Sequence, residues 1–155
     1  MNEVKIYPEK ITIERIMVIK SHISASDEFL SNSQKPDQIE VQHKQDTAVD
    51  KENKKVRIRL ETLLEGVDEN KERLGVSGNF VMDFYIHVAN LEDFIEEGEN
   101  KKTVHSLLGN TLMGIVYSTA RGIILERTHG TFFNEIILPV INPNDLIKKS
   151  PHTEE

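Results

Sequence analysis

The chain has 155 residues, a length that fits one domain with a core of ordinary size. Its formal net charge of -7 argues against a nucleic-acid-binding face, which needs clustered lysine and arginine. There is no cysteine, which excludes disulfide bonds, thiolate metal ligands and a thiol nucleophile. No charged-then-apolar segment opens the sequence, so we expect a cytoplasmic protein without stable membrane insertion.

The first predicted strand, residues 11–22, is rich in β-branched side chains and is apolar on both faces. By simple alternation, one face carries Ile11, Ile13, Met17 and Ile19 and the other carries Ile16 and Val18. This pattern is typical of a central strand or of one that is covered on both sides.

Three more strands follow. Residues 39–46 alternate weakly and carry charges that discourage pairing between sheet edges, which predicts an edge strand. Residues 56–64 and 74–88 alternate clearly and are separated by a short polar turn, which predicts a hairpin. Gly78 within the second of these indicates a bulge or a close approach of neighbouring atoms. The expected fold is α+β, with a four-stranded antiparallel sheet, a long helix packed on it and a short C-terminal helix.

The long helix is predicted over residues 104–129, because no proline interrupts it and Gly130 follows as a stop. One apolar stripe comprises Val104, Leu108, Leu112, Ile115, Val116, Thr119 and Ile123. A second, about 130° round the helix, comprises Met113, Tyr117, Ala120 and Ile124. A surface helix needs one stripe, so we expect the second to form an oligomer interface; the alternative is that it packs under a loop of the same chain.

Several apolar residues remain in the predicted connections after a core has been built. We expect them on or beside one continuous exposed surface, a candidate binding groove: Phe29, Leu30, Phe94, Ile95, Phe132 and Phe133. The alternative for Phe132 and Phe133 is that they anchor the chain after the helix. Asn142 is predicted to cap the last helix, with Pro143 at its first position. The domain is expected to span residues 1–149, followed by a frayed tail, 150–155.

The search for catalytic motifs is largely negative. The histidines lie in separate predicted elements, without metal-ligand spacing, and no nucleophile elbow or phosphate-binding glycine motif is present. We therefore expect no metal, no cofactor and no enzymatic activity. The residue patterns alone predict an acidic, oligomeric α+β binding module.

The C-terminal third contains three segments that together form a pattern: residues 120–132 (ARGIILERTHGTF), then Leu138, Pro139 and Val140, then Asp145 and Leu146. In this pattern the chain resembles the SecB family of bacterial export chaperones. Further agreement comes from residues 13–16 in the first strand and from 40–41 and 46–48 in the second. Together these segments cover nearly the whole chain in the same order of elements.

This resemblance implies an assembly of two dimers, formed through the sheets and long helices. It also implies ATP-independent holding of unfolded preproteins in apolar grooves and their transfer to the translocase motor SecA. SecB-like relatives also serve as chaperones of antitoxins, which is the first alternative. A second alternative is a hot-dog thioesterase in which Asn110 would help to activate water, an idea supported only by analogy of fold.

One part of the family pattern is missing. The resemblance implies that the motor docks on an acidic surface of the sheet. The matching positions here are Lys20, His22, Tyr85 and His87, and none of them is a carboxylate. We therefore expect client holding, with SecA docking weak or absent.

Overall fold

The computed structural model describes residues 3–32, 35–100, 102–134 and 136–148. Its main strands are β1 (Ile11–Ala25), β2 (Gln38–Asp50), β3 (Lys55–Val67) and β4 (Arg73–Val88), followed by the short β5 (Ile95–Glu97) and β6 (Lys102–Val104). The helices are α1 (Asp27–Asn32), α2 (Ser106–Thr128) and α3 (Pro143–Lys148). The predicted tail, 150–155, lies outside the described residues.

The main sheet has the strand order β1-β4-β3-β2, and each neighbouring pair is antiparallel. The predicted hairpin is confirmed as β3–β4, in which Asp68 accepts hydrogen bonds from the backbone nitrogens of Asn70 and Glu72. The prediction that β2 is an edge strand is also confirmed. With α2 packed on one face and α3 at the C-terminal end, the α+β fold class is confirmed as well.

Strand β1 is not central, so that prediction is wrong. It forms the other edge of the sheet, and its pairing with β4 shifts register at Glu14 and again at Ile19. Each extra residue reverses the faces of the residues that follow it. As a result Ile13, Ile16 and Val18 lie opposite residues of the face that α2 covers: Ile86, Phe84 and Met82. A simple alternation ignores the two bulges and therefore assigns apolar residues to both faces of β1. The pattern does not indicate a central position.

The face of the sheet that packs against α2 is here called the inner face, and the opposite one the outer face. Alternate residues of β3 and β4 fill the core from the inner face, among them Leu60, Met82 and Phe84, which are fully buried. Gly78 belongs to this face, where an added Cβ would lie 3.2 Å from the ring of Phe80. The close approach expected at this glycine is therefore confirmed.

Helix α2 begins at a cap formed by His105, whose Nδ1 accepts a hydrogen bond from the backbone nitrogen of Leu107 at 3.1 Å. It ends before Gly130, whose φ of +75° favours glycine, as predicted from the sequence. The helix buries Leu108, Leu112, Met113, Val116, Tyr117, Ala120, Ile124 and Thr128.

The second apolar stripe is not an exposed interface, so that prediction is wrong. Met113, Tyr117, Ala120 and Ile124 are all at most 5% exposed within a single chain. Tyr117 shows the reason: its ring packs edge-on against His43 of β2, with the centroids 5.2 Å apart, and its hydroxyl donates to the Pro139 carbonyl at 2.6 Å. The sheet and the chain that follows α2 therefore enclose this stripe, as in the alternative of packing within the same chain.

The segment between α2 and α3 runs back along the helix. Arg121 Nε donates to the Leu138 carbonyl at 2.9 Å, which fixes the segment beside α2 next to the Tyr117 contact. The predicted cap of the last helix is confirmed, because Asn142 Oδ1 accepts a hydrogen bond from the backbone nitrogen of Asn144 at 3.1 Å. Helix α3 is thereby brought against the first half of α2.

Candidate functional site

A groove of about 460 Å³ lies between β2, β3, β6, α2 and α3, here called the α2–β2 groove. Its volume is within the range of ligand-binding pockets in general. The residues that line it are Gln45, Thr47, Val49, Val56, Ile58, Lys102, Thr103, Val104, Ser106, Gly109, Asn110, Leu112, Met113, Asn144 and Ile147.

The groove is open because the core layer ends before the end of β2. Along the inner face of this edge strand, Val41 and His43 are half-buried, whereas Thr47 and Val49 are exposed. Val49 retains 40% of its accessible surface. On the neighbouring strand β3, Val56 and Ile58 are buried and line the groove beside β2. The groove is therefore an uncovered part of the apolar inner face.

Helix α3 forms another wall of the groove. A Cβ added to Gly109 would lie 3.6 Å from Ile147, and one added to Gly114 would lie 3.7 Å from Pro143. These are ordinary contact distances, so α3 lies directly over Gly109 and Gly114 of α2. Through Asn144 and Ile147, α3 closes one side of the groove and leaves the β2 side accessible.

The hairpin of β5 and β6 forms the rim near the start of α2. Val104 lines the groove and pairs with Ile95. The backbone nitrogen of His105 donates to the Phe94 carbonyl at 2.7 Å, which joins this hairpin to the helix cap. The ring Nε2 of His105 lies 3.7 Å from a Glu96 carboxylate oxygen on the same hairpin. The rim is thus tied to α2 by main-chain and side-chain contacts.

The groove is lined by apolar side chains and by neutral amides and hydroxyls. Among the described lining residues, the charged one is Lys102, and none has a carboxylate, an imidazole or a thiol. The side-chain Oδ1 of Asn110 is buried and has no hydrogen-bond partner within the described structure. These groups suit an uncharged, extended ligand and provide no general base for hydrolysis.

The six predicted groove residues do not form one surface. Phe29, Phe94 and Phe133 are at most 4% exposed and belong to the core, so their predicted exposure is wrong. For Phe133, the alternative that it anchors the chain after the helix is confirmed. Leu30 and Phe132 are exposed.

The six residues also occupy two distant regions. Phe132 packs edge-on against Phe29 with the ring centroids 5.2 Å apart, just beyond the C-terminal end of α2. Phe94 and Ile95 lie at the other end of this 23-residue helix, about 34 Å away along its axis. Of the six, Ile95 lies beside the α2–β2 groove, through its pairing with Val104.

The four positions matched to motor docking share the outer face of the sheet. Lys20 and His22 on β1 lie opposite Val81 and Asn79, whereas Tyr85 and His87 lie further along β4. Lys20 and His22 border a polar hollow of about 320 Å³ that also contains Glu40, Glu65 and Arg73. This part of the outer face therefore carries charges of both signs.

The centre of the outer face is a series of ion pairs between neighbouring strands. Arg59 of β3 holds Asp83 of β4 in a two-bonded pair, with Nε to Oδ1 at 2.6 Å and Nη2 to Oδ2 at 2.7 Å. Arg57 Nη2 lies 2.7 Å from Asp46 Oδ2. Hydrogen bonds from the Arg59 guanidinium hold the pKa of the buried Asp83 carboxyl below its usual value. The same pairing keeps the pKa of Arg59 above its already high value.

Sequence reasoning missed most of the α2–β2 groove. The β5–β6 hairpin falls in a stretch for which no strand was predicted, and Thr47 and Val49 lie beyond the predicted end of β2. Asn110 was considered only for the hydrolytic alternative. A polar residue on the inward side of an apolar helix is the signal that identifies the groove from the sequence.

The described part of the chain offers neither a metal site nor a membrane-spanning helix. In those residues, no group of three or more histidine, aspartate or glutamate side chains is arranged to hold a metal ion. Nor does any helix in those residues combine the length and apolar character needed to cross a membrane.

No protein-family model matches the chain, and no curated protein matches it by sequence. The fold, however, is similar to that of a SecB-like chaperone of Mycobacterium tuberculosis, Rv1957, solved in complex with a ChAD peptide from the antitoxin HigA1. The TM-score is 0.54 and the sequences are 11% identical over 86% of this chain and 91% of that one.

A protein of unknown function from Streptococcus agalactiae is also similar, with 16% identity over 84% of this chain and 97% of that one. Its TM-score of 0.41 is too low to support an argument. At 11% identity, the first similarity establishes a shared fold. The chain thus shares the fold of that structure, and this supports the fold expected from the sequence resemblance.

Proposed function

We propose that this protein is an ATP-independent holding chaperone that binds unfolded polypeptide segments in the α2–β2 groove. The observation that carries the proposal is an open, largely uncharged groove on a fold shared with a peptide-bound SecB-like chaperone. Holding an unfolded chain lowers the concentration of free aggregating segments by mass action and needs no chemical step.

The groove is suited to segments of many sequences. Its apolar floor, formed by residues such as Val56 and Ile58, gains free energy from any apolar side chain that it removes from water. It lies along the edge strand β2, where an extended segment has access to unpaired main-chain groups. A groove that relies on such contacts accepts extended apolar segments without requiring one sequence.

An antitoxin is a specific alternative client, and the Mycobacterium tuberculosis neighbour favours it because its bound peptide comes from an antitoxin. Preproteins and an antitoxin could use the same groove, so contacts within it do not separate the two roles. Capture of bound proteins from the host, followed by their identification, would separate them. Signal-bearing preproteins would support export, whereas one dominant antitoxin would support the alternative.

The hot-dog thioesterase is the less favoured alternative. Asn110 does line the groove, but none of the described lining residues offers a carboxylate or imidazole to activate water. We propose that the protein acts without catalysis. Turnover of an acyl thioester that is abolished by Asn110→Ala would contradict this, whereas prevention of aggregation at near-stoichiometric ratios without turnover would support it.

The test of the groove is a charged substitution in its wall. Val49→Lys places a charge at the accessible wall, and we expect at least tenfold weaker binding of an unfolded client, because an ammonium group must lose water when the groove is filled. Leu30→Lys is the matched control, since Leu30 is 50% exposed and lies outside the groove. Equal binding by both variants and the unaltered protein would place the client elsewhere.

We propose a homo-oligomer assembled through two surfaces that a single chain leaves open, one apolar and one of mixed apolar, small and hydroxyl residues. The first is on β1, where Ile13, Ile16 and Ile19 are 39%, 39% and 48% exposed. The second is the outward side of α2, where residues follow the alternating four- and three-residue spacing of helix pairs: Thr111, Ile115, Ser118, Gly122 and Leu125. An assembly of two dimers, as the family resemblance implies, would use one surface within each dimer and the other between dimers.

A glutamate at the centre of the α2 surface tests this assembly. Ser118 is exposed, so Ser118→Glu should preserve the fold while lowering the mass measured by sedimentation. The same change at Ser31, an exposed residue of α1, is the control and should leave the mass unchanged. An unchanged mass for Ser118→Glu would exclude the α2 surface.

A further inference from the structure

Asn110 differs from other polar residues of α2 in its hydrogen bonding. Other polar side chains of the helix have partners: Thr111 and Thr119 donate to the carbonyls one turn earlier, and the hydroxyl of Tyr117 donates to Pro139. By contrast, the Oδ1 of Asn110 is buried and accepts no hydrogen bond within the described structure. Asparagine also disfavours a helix interior, so neither helix formation nor packing explains this residue.

A buried acceptor without a donor lowers the stability of the free protein. Such a group is understandable if its partner arrives with a ligand, and Asn110 lies where a ligand would bind. It lines the α2–β2 groove together with Gly109 and Met113 of the same helix and with Asn144 of the facing helix α3. The unpaired acceptor and the open groove therefore coincide.

We propose that Asn110 is the polar anchor of the groove and that its side-chain amide hydrogen-bonds the main chain of a bound extended polypeptide segment. This inference rests on the proposed holding function. The ligand is identified by its chemistry: an uncharged, extended segment whose side chains contact the apolar floor and whose peptide group meets Asn110.

The main chain is the partner that best fits this amide. An asparagine side chain has one acceptor and two donor hydrogens, which complement the carbonyl and N–H of a peptide. Because every residue of a client except proline has both groups, this anchor fixes a segment in the groove without selecting its sequence. The terminal torsion of asparagine is broad, so the amide can adjust its orientation to a bound segment.

The apolar lining strengthens such a bond. A hydrogen bond formed away from water is electrostatically stronger than an exposed one, and the buried Oδ1 has no competing donor to release within the described structure. Apolar contact and a single main-chain anchor thus have separate roles. The floor provides most of the affinity, and Asn110 sets the position of the segment along the groove.

The test uses Asn110→Leu and a short fluorescein-labelled peptide of alternating leucine and threonine. Leucine keeps a similar volume but has no polar atom, so binding should weaken about tenfold. The thermal midpoint of the free variant should be equal to or above that of the unaltered protein, because an unsatisfied buried acceptor has been removed. Asn110→Ala serves the same purpose if the leucine variant does not fold.

A set of peptides, each carrying one N-methyl group on its main chain, identifies the bond itself. In the unaltered protein, methylation of the amide that meets Asn110 should weaken binding by about the same factor as Asn110→Leu. In Asn110→Leu, methylation at that position should have little further effect. A purely structural role would instead lower the thermal midpoint and leave the response to methylation unchanged.

The outcomes separate this inference from the proposed function. Normal binding by Asn110→Leu, together with weak binding by Val49→Lys, would overturn the anchor and retain the groove. Normal binding by both variants would overturn the groove and the anchor together. Weak binding by Asn110→Leu with a lowered thermal midpoint and an unchanged methylation pattern would also overturn the anchor.

Discussion

Both faces of the sheet arise from the same alternation of residues along each strand, but they differ in what covers them. On β3, inward residues such as Leu60 are fully buried, while their neighbours Arg59 and Glu61 remain partly exposed. The inner face gains free energy by excluding water beneath α2. The outer face has no covering layer in one chain, and it is ordered by ion pairs between strands such as Arg59–Asp83.

This difference indicates where to look for function. The helix covers the middle of the inner face and leaves its two margins open, near Ile13 and Ile16 on β1 and near Val49 on β2. Apolar surface at these margins is available to a second chain or a client. The charges on the outer face largely meet one another across the strands. The proposed binding surfaces are therefore places where the cover of the inner face is incomplete.

The strongest test of this comparison uses the same substitution on the two sides of the sheet. Tyr117→Glu would place a carboxylate in the core, where the nearby Arg121 already donates to the Leu138 carbonyl. The cost is several kcal/mol, so we expect loss of cooperative folding by circular dichroism. Tyr85→Glu on the outer face should be tolerated, because that ring is partly exposed and the Arg15 guanidinium lies 5.9 Å from its centroid.

A folded but dissociated Tyr117→Glu protein would contradict the core position of this residue. It would restore the second stripe as an interface. Burial also raises the pKa of Tyr117, which keeps its hydroxyl protonated as the donor to Pro139.

The second test removes one partner of the central ion pair. Arg59→Met leaves the buried carboxylate of Asp83 without its two hydrogen bonds, which costs about 1–3 kcal/mol. We expect the lower part of this range because Arg59 is itself 43% exposed. The thermal midpoint at neutral pH should fall by roughly 2–6 °C. The double variant Arg59→Met with Asp83→Leu is the control and should recover part of this loss.

The same pair predicts a dependence on pH. Because the folded pKa of Asp83 is lowered, its stabilising contribution is present above the unfolded pKa and is lost as the pH falls through the folded value. The difference in stability between the unaltered protein and Arg59→Met should therefore be large at neutral pH and shrink below about pH 4. A difference that is the same at both pH values would show that the loss comes from packing.

Some features could be predicted from the sequence because they depend on local chemistry. The β3–β4 hairpin follows from strong alternation around a polar turn, and the end of α2 from the conformational freedom of Gly130. The last helix follows from the cap provided by Asn142. In each case the residues that determine the element are neighbours in the chain.

The remaining features depend on contacts between distant residues. In the sequence, the bulges at Glu14 and Ile19 only change the phase of the alternation between apolar and polar residues. We interpreted that change as the pattern of a central strand or of one that is covered on both sides. The second stripe of α2 is buried by β2 and by the segment near Pro139, which are far from it in sequence. The groove was missed for the same reason, because five elements of the chain form it.

The smallest expected effect concerns docking to the SecA motor. Electrostatic docking needs opposite potentials on two surfaces and depends on salt. Lys20, His22, Tyr85 and His87 supply no carboxylate to the outer face. The acidic residues near the groove rim have basic neighbours, with Lys54 3.3 Å from Glu92 and Lys51 3.6 Å from Glu97. We therefore expect binding to SecA that is weaker than that of an acidic-faced SecB, or absent.

Introducing acidic groups at two of these positions tests this expectation. Lys20→Asp combined with His87→Glu should strengthen SecA binding in titration calorimetry, and the gain should shrink as salt is added because surface charges are screened. Neither residue lines the α2–β2 groove, so client binding should remain unchanged and serve as the control. Tight, salt-sensitive binding by the unaltered protein would contradict the expectation. The docking surface would then lie elsewhere, and the rim acids Glu92, Asp93, Glu96 and Glu97 would be the first to replace.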